Sequence, residues 1–309
     1  MTGNMTYLPI TSDLRPLGKS GLDVFPLAYG MWRFAGTNAS IAREKIDTAL
    51  ACGMTLFDTA DIYGVDGGGK AGDAEQLFGE ALKLDRSIRD RMVIATKGGI
   101  EIGEPYNSSA DYLTKACEGS LKRMGIERID LYQIHRPDLL THPAQVAGVL
   151  SRLREDGKIA HVGGSNHTPA QFEALPAYLD FPLVSHQPEM SCLVYGPLFD
   201  GVIDQAMRGQ VAVLAWSPLA GGLLGATADD SAPGRMALRT ELDKRASAQN
   251  VSRDAVALAW LLAHPAGIIP IIGTQTLARI ERSLDAFKVK MTRQDWYNIL
   301  QAAMGERLP

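Results

Sequence analysis

Short apolar runs alternate with longer amphipathic stretches along almost the whole chain. The apolar runs have the length and composition of buried strands, and they are 24–30, 55–58, 92–96, 129–134, 159–164, 183–187, 211–216 and 268–272. Between them, apolar residues recur at helical spacing, as in Ser40–Ala51, Ala74–Lys83, Ser109–Met124, Pro143–Glu155 and Thr168–Tyr178. This count of strand-then-helix units predicts an α/β fold in which eight parallel strands close into a barrel.

Two segments stand outside this alternation. Leu14–Val24, with a turn at 18–21, predicts an N-terminal β-hairpin. The longest gap between predicted strands, 220–267, combines a Gly/Ala-rich loop with two predicted helices, 235–249 and 253–264. An excursion of this length is a candidate lid.

The chain is predicted to form one domain over residues 1–309. With 309 residues and 46% hydrophobic content it can bury a large core, and no Pro/Gly/Ser-rich linker divides it. After the eighth unit a last helix is predicted to start at Thr292, with Asp295 placed early to suit the helix dipole.

Charge and composition narrow the class of ligand. The net charge is -4 and no dense Lys/Arg cluster occurs, which argues against nucleic-acid binding and favours a small neutral or weakly polar ligand. Three widely spaced cysteines without a CxxC pattern argue against a disulfide framework. The start lacks a basic segment followed by an apolar stretch, and no run reaches the roughly 18 apolar residues of a membrane span. We therefore expect a cytoplasmic protein that does not contact a membrane.

Four residues suited to acid-base chemistry stand at or just past the ends of predicted strands. They are Asp58, Tyr63, Lys97 and His135. In a barrel of parallel strands, the carboxyl ends of the strands meet on one face, where active sites are built. The four side chains are therefore expected to share one pocket.

Tyr63 is the candidate proton donor of this set. A phenol is a weak acid at neutral pH because its ordinary pKa is near 10. An ammonium group close by would favour the phenolate and lower that pKa, and a carboxylate would hold the ammonium in place. Lys97 and Asp58 fit these two roles. His135 is the fourth of these candidate residues. The alternatives for it are a structural role and half of a metal site with Asp138. The metal alternative is weak because no HExxH or paired Cys/His spacing occurs.

Later strand ends carry groups of another kind. Ser165, Asn166 and Gln187 present hydroxyl and amide groups suited to hydrogen-bonding a carboxamide, and Trp216 presents an aromatic face for a flat heterocycle. Each alone is a common strand terminus or core residue. Together they predict a cradle for a nicotinamide ring.

The loop Gly64–Gly72 supports a competing hypothesis. It matches GxGxxG from Gly67 and nearly matches the phosphate-binding pattern GxxxxGK[ST]. However, Ala71 stands where a hydroxyl must reach magnesium, and Asp66 and Asp73 would bring negative charge towards phosphates. A surface loop beside the active site is favoured, and the alternative of a nucleotide hydrolase predicts magnesium-dependent hydrolysis of ATP or GTP.

Taken in order, these motifs resemble the aldo-keto reductases, and in particular their bacterial members. The resemblance covers essentially the whole chain and lies in Arg15–Leu22, Phe57–Gly64, Ala95–Gly99, Ile134–Asp138, Val162–Asn166, Trp216–Gly222 and Lys290–Gln294. It implies a (β/α)8 TIM barrel with an N-terminal hairpin and extra helices near the C-terminus. It also implies reduction of aldehydes or ketones, with hydride from NADPH, Tyr63 protonating the carbonyl oxygen, Lys97 and Asp58 tuning it, and His135 orienting the carbonyl.

The same resemblance implies a set of binding residues. Cofactor contacts are expected at Gly30, Met31, Ser165, Asn166, Gln187, Trp216, Ser217, Pro218, Leu219, Gly221, Gly273, Thr274 and Arg279, and substrate contacts at Trp32 and Tyr106; no metal is expected. Arg279, aided by Arg282, favours NADPH over NADH because arginine pairs well with a 2'-phosphate. Arg282 and Ser283 depart from the family pattern at the adenine contacts. A regulatory subunit that senses the cofactor is an alternative function, and the sequence indicates neither the substrate nor the oligomeric state.

Overall fold

Eight parallel strands form a closed barrel in the computed structural model, which describes residues 6–65, 68–228 and 233–309. Around the barrel the strands follow the order β10-β3-β4-β5-β6-β7-β8-β9. Their bounds are β3 Ala28–Gly30, β4 Leu56–Asp58, β5 Val93–Gly98, β6 Ile129–Ile134, β7 Ile159–Ser165, β8 Leu183–Gln187, β9 Ala212–Ala215 and β10 Ile269–Ile272. Each strand pairs in parallel with its neighbour in the chain, and β10 pairs with β3 to close the ring. The predicted barrel is confirmed.

Helices pack around the outside of the barrel. They are α1 Ala39–Ala51, α2 Asp73–Leu84, α3 Ala110–Met124, α4 Pro143–Glu155, α5 Pro169–Ala174, α6 Val202–Gly209, α7 Pro233–Gln249, α8 Arg253–Leu262, α9 Leu277–Arg282 and α10 Arg293–Met304. The last helix begins as predicted, because Thr292 and Asp295 form a reciprocal capping box. Among the described residues, none of the helices combines the length and the apolar character needed to span a membrane.

The predicted N-terminal hairpin is present as β1 Arg15–Pro16 and β2 Asp23–Val24. Leu17 and Val24 are fully buried among the side chains that fill the barrel interior, so the hairpin closes the end of the barrel opposite the strands' carboxyl ends. At Gly18, φ is +55° and a Cβ atom would lie 2.2 Å from the carbonyl oxygen of Val184. The hairpin can therefore approach β8 this closely only with glycine at this position.

Two predicted elements are shorter in the structure by four residues or more. The first barrel strand begins at Ala28 rather than at residue 24, because Val24 pairs with Arg15 in the hairpin and Pro26 has no N–H to donate. The predicted helix 168–178 ends at Ala174, and a 3-10 turn, Pro176–Tyr178, follows. Proline disfavours helical backbone at the residue before it and breaks the ladder of hydrogen bonds.

Candidate active site

The four predicted catalytic residues meet at the carboxyl end of the barrel. Asp58 is the last residue of β4, Lys97 lies near the end of β5, and His135 directly follows β6. Tyr63 lies in the turn after β4, where its ring is 5.8 Å from that of His135 in an edge-to-face arrangement. The parallel strands therefore bring together side chains that are up to 77 residues apart, by the difference between positions 58 and 135.

Lys97 connects Asp58 and Tyr63. Its Nζ atom donates hydrogen bonds to Asp58 Oδ2 at 2.6 Å, to the Thr59 carbonyl oxygen at 2.8 Å and to the Tyr63 phenol oxygen at 3.2 Å. An ammonium group has three hydrogens to donate, so each of them has an acceptor here. Because Tyr63 accepts from Lys97, its own hydroxyl hydrogen remains available to another acceptor.

The net pKa of Tyr63 differs from the expected direction. Burial of the phenol is the largest influence and raises the pKa above its ordinary value of 10. The Lys97 ammonium lowers it, as expected, Asp58 raises it, and Arg136 lowers it. The expectation of a lowered pKa is therefore wrong for this form of the protein, because it omitted the desolvation of the phenolate. Tyr63 is a neutral phenol at pH 7, and the ammonium would stabilise the phenolate formed when the proton leaves.

The charge states of the two basic groups also follow from their surroundings. Burial acts to lower the pKa of Lys97, but Asp58 and Tyr63 raise it above its ordinary value, so the ammonium stays charged. Burial, followed by the charges of Lys97 and Arg136, lowers the pKa of His135 well below 6.5. His135 is therefore a neutral imidazole with one N–H to donate, and its Nδ1 has no hydrogen-bond partner among the described residues.

Asp58 is held by amide groups in the barrel interior as well as by Lys97. Its Oδ1 accepts from Gln187 Nε2 at 2.9 Å and from Gln133 Nε2 at 3.4 Å. The Ser185 hydroxyl donates to Gln133 Oε1 at 3.1 Å, which orients that amide with its N–H groups towards Asp58. Sequence reasoning did not single out Gln133. The available signal was an amide side chain within a strand predicted to be buried, because a buried amide needs partners.

The four residues Asp58, Tyr63, Lys97 and His135 are called the tetrad below. The residues predicted to hold a carboxamide form one hydrogen-bonded group beside the tetrad. Asn166 Nδ2 donates to the Ser165 hydroxyl at 2.8 Å and to the His135 carbonyl oxygen at 3.2 Å, and Trp216 Nε1 donates to Asn166 Oδ1 at 2.8 Å. The Ser165 hydroxyl in turn donates to the Gln187 carbonyl oxygen at 2.8 Å. The structure thus brings these residues together, and the amide of Gln187 is bonded to Asp58.

A cavity of about 460 Å³ extends from the tetrad to α9. Its lining includes Asp58 and Tyr63 of the tetrad, Arg279 on α9, and the predicted substrate residue Trp32 beside Arg33. Predicted cofactor residues supply much of the remaining lining: Gly30, Met31, Trp216, Ser217, Pro218, Leu219, Gly221, Gly273 and Thr274. The lining does not include Ser165, Asn166 or Gln187, although Asn166 is bonded to the lining residue Trp216. Tyr106, which is 43% exposed, is also outside the lining.

The α9 end of the cavity carries two arginines in different electrostatic states. Arg279 is exposed and has neither an ion pair nor a side-chain hydrogen bond with any other described residue. Arg282 also lines the cavity, but its Nη2 lies 3.2 Å from Asp254 Oδ2 on α8. The Asp254 pairing was not predicted, because the approach of α8 to α9 is a tertiary feature. An extended dinucleotide fits this arrangement, since the cavity joins the flat aromatic face of Trp216 to a cationic end.

Comparison with known proteins identifies the family. The model of the aldo/keto reductase family matches residues 26–303. The chain belongs to the aldo/keto reductase family. It is therefore an NAD(P)H-dependent oxidoreductase that reduces carbonyl compounds.

Two relatives of this aldo/keto reductase are named as reductases. The chain is 48% identical over 309 residues to a 6-dehydroglucose reductase of Novosphingobium aromaticivorans, covering 99% of this chain and 100% of the relative. It is 36% identical to a 6-dehydroglucose reductase of Agrobacterium fabrum, covering 93% of this chain and 97% of the relative. The fold is similar to the crystal structure of a thermostable aldo-keto reductase, Tm1743, in complex with the inhibitor epalrestat, with a TM-score of 0.79, 23% identity, and coverage of 94% of this chain and 99% of that one.

The sequence of this aldo/keto reductase left two alternative kinds of site open, a phosphate-binding loop at Gly64–Gly72 and a metal site at His135 and Asp138. In the loop Gly64–Gly72, Asp66 and Gly67 lie outside the described residues, and Asp73 Oδ2 accepts from the Lys70 backbone N–H at 2.7 Å. A carboxylate thus occupies an N–H that a phosphate-binding loop would offer to its ligand. Within residues 6–65, 68–228 and 233–309, no group of three or more His, Cys, Asp or Glu side chains is arranged to hold a metal ion.

Proposed function

We propose that this protein is an NADPH-dependent reductase in which Tyr63 protonates the carbonyl oxygen of an aldehyde or ketone. One observation carries the proposal: Lys97 Nζ lies 3.2 Å from the Tyr63 oxygen and 2.6 Å from Asp58 Oδ2 at the wall of the cavity. Bound NADPH would supply the hydride to the carbonyl carbon.

The proton is the contribution of the chain itself. Tyr63 holds it at the phenol oxygen, and Lys97 stabilises the phenolate as the proton leaves. Lys97 assists while the proton is being transferred and does not ionise Tyr63 beforehand, because burial keeps Tyr63 protonated until an acceptor arrives. Asp58 balances the buried charge of Lys97, and the neutral His135 can donate its N–H to the same carbonyl oxygen.

The binding residues are assigned along the cavity. Trp216 would stack on the nicotinamide ring, while Asn166 and its hydrogen-bonded neighbours Ser165 and Gln187 would hold the carboxamide. Gln187 would do so by giving up its bond to Asp58, which keeps its bond from Gln133. Trp32 would contact the substrate.

Preference for NADPH is assigned to Arg279. It is the α9 arginine whose charge is not engaged by a carboxylate, whereas the charge of Arg282 is offset by Asp254. A 2'-phosphate recruits an arginine because both are charged and the hydrogen bonds are charge-assisted. Arg279→Ala should weaken NADPH binding by about tenfold or more and leave NADH binding nearly unchanged in a fluorescence titration. Equal losses for the two cofactors would remove Arg279 from the phosphate site, and Arg282→Ala is the matched comparison.

The substrate class is proposed to be a sugar aldehyde. The support is the near-full-length similarity to two proteins named 6-dehydroglucose reductase, together with the side-by-side placement of Trp32 and Arg33 on the cavity wall. An aromatic face and a guanidinium group suit the apolar face and the hydroxyls of a sugar. The test measures aldehyde-dependent oxidation of NADPH with 6-dehydroglucose, simple aldehydes and ketones. Turnover of none of them would contradict the proposed function, and a preference for simple ketones would contradict the sugar assignment alone.

A further inference from the structure

The segment between β9 and α7 forms much of the cavity wall, and its conformation is irregular. We call residues 217–228 the cavity loop; most of them line the cavity, among them Gly225 and Ala228. Ser217 and Ala220 have φ values of 50° and 49°, in the left-handed region that residues with a Cβ disfavour. A loop with such backbone needs contacts from outside to hold its shape.

Arg253, the first residue of α8, supplies such a contact. Its Nη1 donates to the carbonyl oxygens of Gly225 and Ala228 at 3.1 and 3.3 Å. Arg253 is only 7% exposed, so these bonds are shielded from water. The cavity loop is thereby tied at its C-terminal half to a helix of the barrel's outer layer.

Asp243 on α7 fixes the orientation of Arg253. Its two carboxylate oxygens accept from Arg253 Nε at 2.7 Å and from Nη2 at 2.8 Å, which is a bidentate arrangement. Because the guanidinium is planar, this pairing aims the remaining nitrogen at the loop carbonyls. A second guanidinium, that of Arg33, reaches the Gly221 carbonyl at 3.3 Å, but Arg33 is exposed and makes only this one bond to the loop.

We propose that Arg253, oriented by Asp243, is a positioning residue that holds the cavity loop in its cavity-lining conformation and thereby slows the dissociation of the cofactor. The inference rests on the proposed function, since it takes the cavity as the NADPH site. Arg253 does not line the cavity itself, and its hydrogen bonds go to Asp243 and to the loop carbonyls of Gly225 and Ala228 rather than to the tetrad. It therefore acts on cofactor exchange and not on proton or hydride transfer.

Arg245 provides a matched control on α7. It is also 7% exposed, and it pairs with Glu241 on its own helix and with Asp295 Oδ1 at 2.9 Å. Its hydrogen bonds and ion pairs within the described residues do not include the cavity loop. Replacing either arginine removes a buried ion pair, but only Arg253 also grips the loop.

The experiment compares wild-type protein with Arg253→Met, Asp243→Asn and Arg245→Met. Preformed NADPH complexes are mixed with excess NADP+ in a stopped-flow instrument, and the loss of NADPH fluorescence gives the dissociation rate. Arg253→Met should release NADPH roughly 10- to 100-fold faster, since hydrogen bonds from a charged donor are lost, and Asp243→Asn should act in the same direction. Arg245→Met should release NADPH at the wild-type rate. The single-turnover rate of hydride transfer should not change in any variant.

Each outcome decides the inference. Equal dissociation rates for Arg253→Met and Arg245→Met, with similar losses of stability in urea, would mean that Arg253 serves only the packing of the helices, and would overturn it. Absence of NADPH binding to the wild-type protein would overturn the proposed function first and the inference with it. If Arg253→Met does not fold, Arg253→Lys and Asp243→Asn decide, and wild-type release rates in both would overturn the inference.

Discussion

The buried pair between Lys97 and Asp58 makes a prediction about stability as well as activity. Lys97 Nζ lies 2.6 Å from Asp58 Oδ2, with side-chain exposures of 1% and 4%. Removing one partner of such a pair leaves the other charge uncompensated, which costs about 3–5 kcal/mol. In Lys97→Met the carboxylate retains the amide donors of Gln187 and Gln133, so we expect a loss near the lower limit, about 3 kcal/mol.

A double-mutant cycle separates this charge effect from the loss of packing. Methionine keeps the straight chain of Lys97, and Asp58→Asn removes the stranded charge while keeping the shape. The double variant should therefore be more stable than Lys97→Met by about 2 kcal/mol, despite carrying one more substitution. Urea unfolding at pH 7, followed by circular dichroism, measures all four proteins. The reasoning would be refuted if Lys97→Met lost less than about 0.5 kcal/mol, which is the size of an ordinary surface effect, or if the two single losses simply added.

Three further predictions concern buried polar groups near the strand ends. Burial lowers the pKa of His167 and His186 from 6.5 to about 4, so between these pH values the unfolded chain binds protons that the folded chain does not. The stability is therefore complete above pH 6.5 and falls towards pH 4, by about 3 kcal/mol for each histidine. A free energy of unfolding in urea that stays constant over this pH range would contradict the prediction. Gln133→Leu should cost about 1–3 kcal/mol and lower turnover without weakening NADPH binding, because it strips a donor from Asp58; normal turnover would remove Gln133 from the support of the tetrad. Gly163→Ala would place a Cβ 2.0 Å from the Ser185 hydroxyl and should cost about 1–3 kcal/mol, of which Ser185→Ala in the same chain should recover part; no recovery would point to the Ser185 carbonyl, 2.8 Å away, as the obstacle.

Much of the barrel could be predicted because its strands are buried on both faces. Such strands are short runs rich in apolar residues, although β6 and β8 also carry polar side chains, and the predicted strands 129–134 and 183–187 match β6 and β8 in both bounds. Residues at the strand ends then follow from topology, and this is why Asp58, Lys97 and His135 could be placed together. The start of the first barrel strand was harder to predict, since an apolar residue at position 24 suits both a barrel strand and the hairpin.

Energetic and interhelical features could not be predicted in the same way. The raised pKa of Tyr63 depends on how deeply the phenol is buried, which no local pattern reveals. The hydrogen bonds of Arg253 join the start of α8 to the carbonyl groups of Gly225 and Ala228, which are 28 and 25 residues away in the sequence. The pairing of Arg282 with Asp254 likewise depends on the packing of α8 against α9.

The central claim is that the proton for carbonyl reduction comes from the Tyr63 phenol beside Lys97. Tyr63→Phe removes one oxygen atom and keeps the ring that packs against His135. Single-turnover measurement of NADPH oxidation by a saturating aldehyde tests the claim most directly, with NADPH affinity measured in the same variant. We expect unchanged affinity and a rate lowered by about 100-fold or more, the usual contribution of a positioned general acid. A wild-type rate with wild-type affinity would contradict the account.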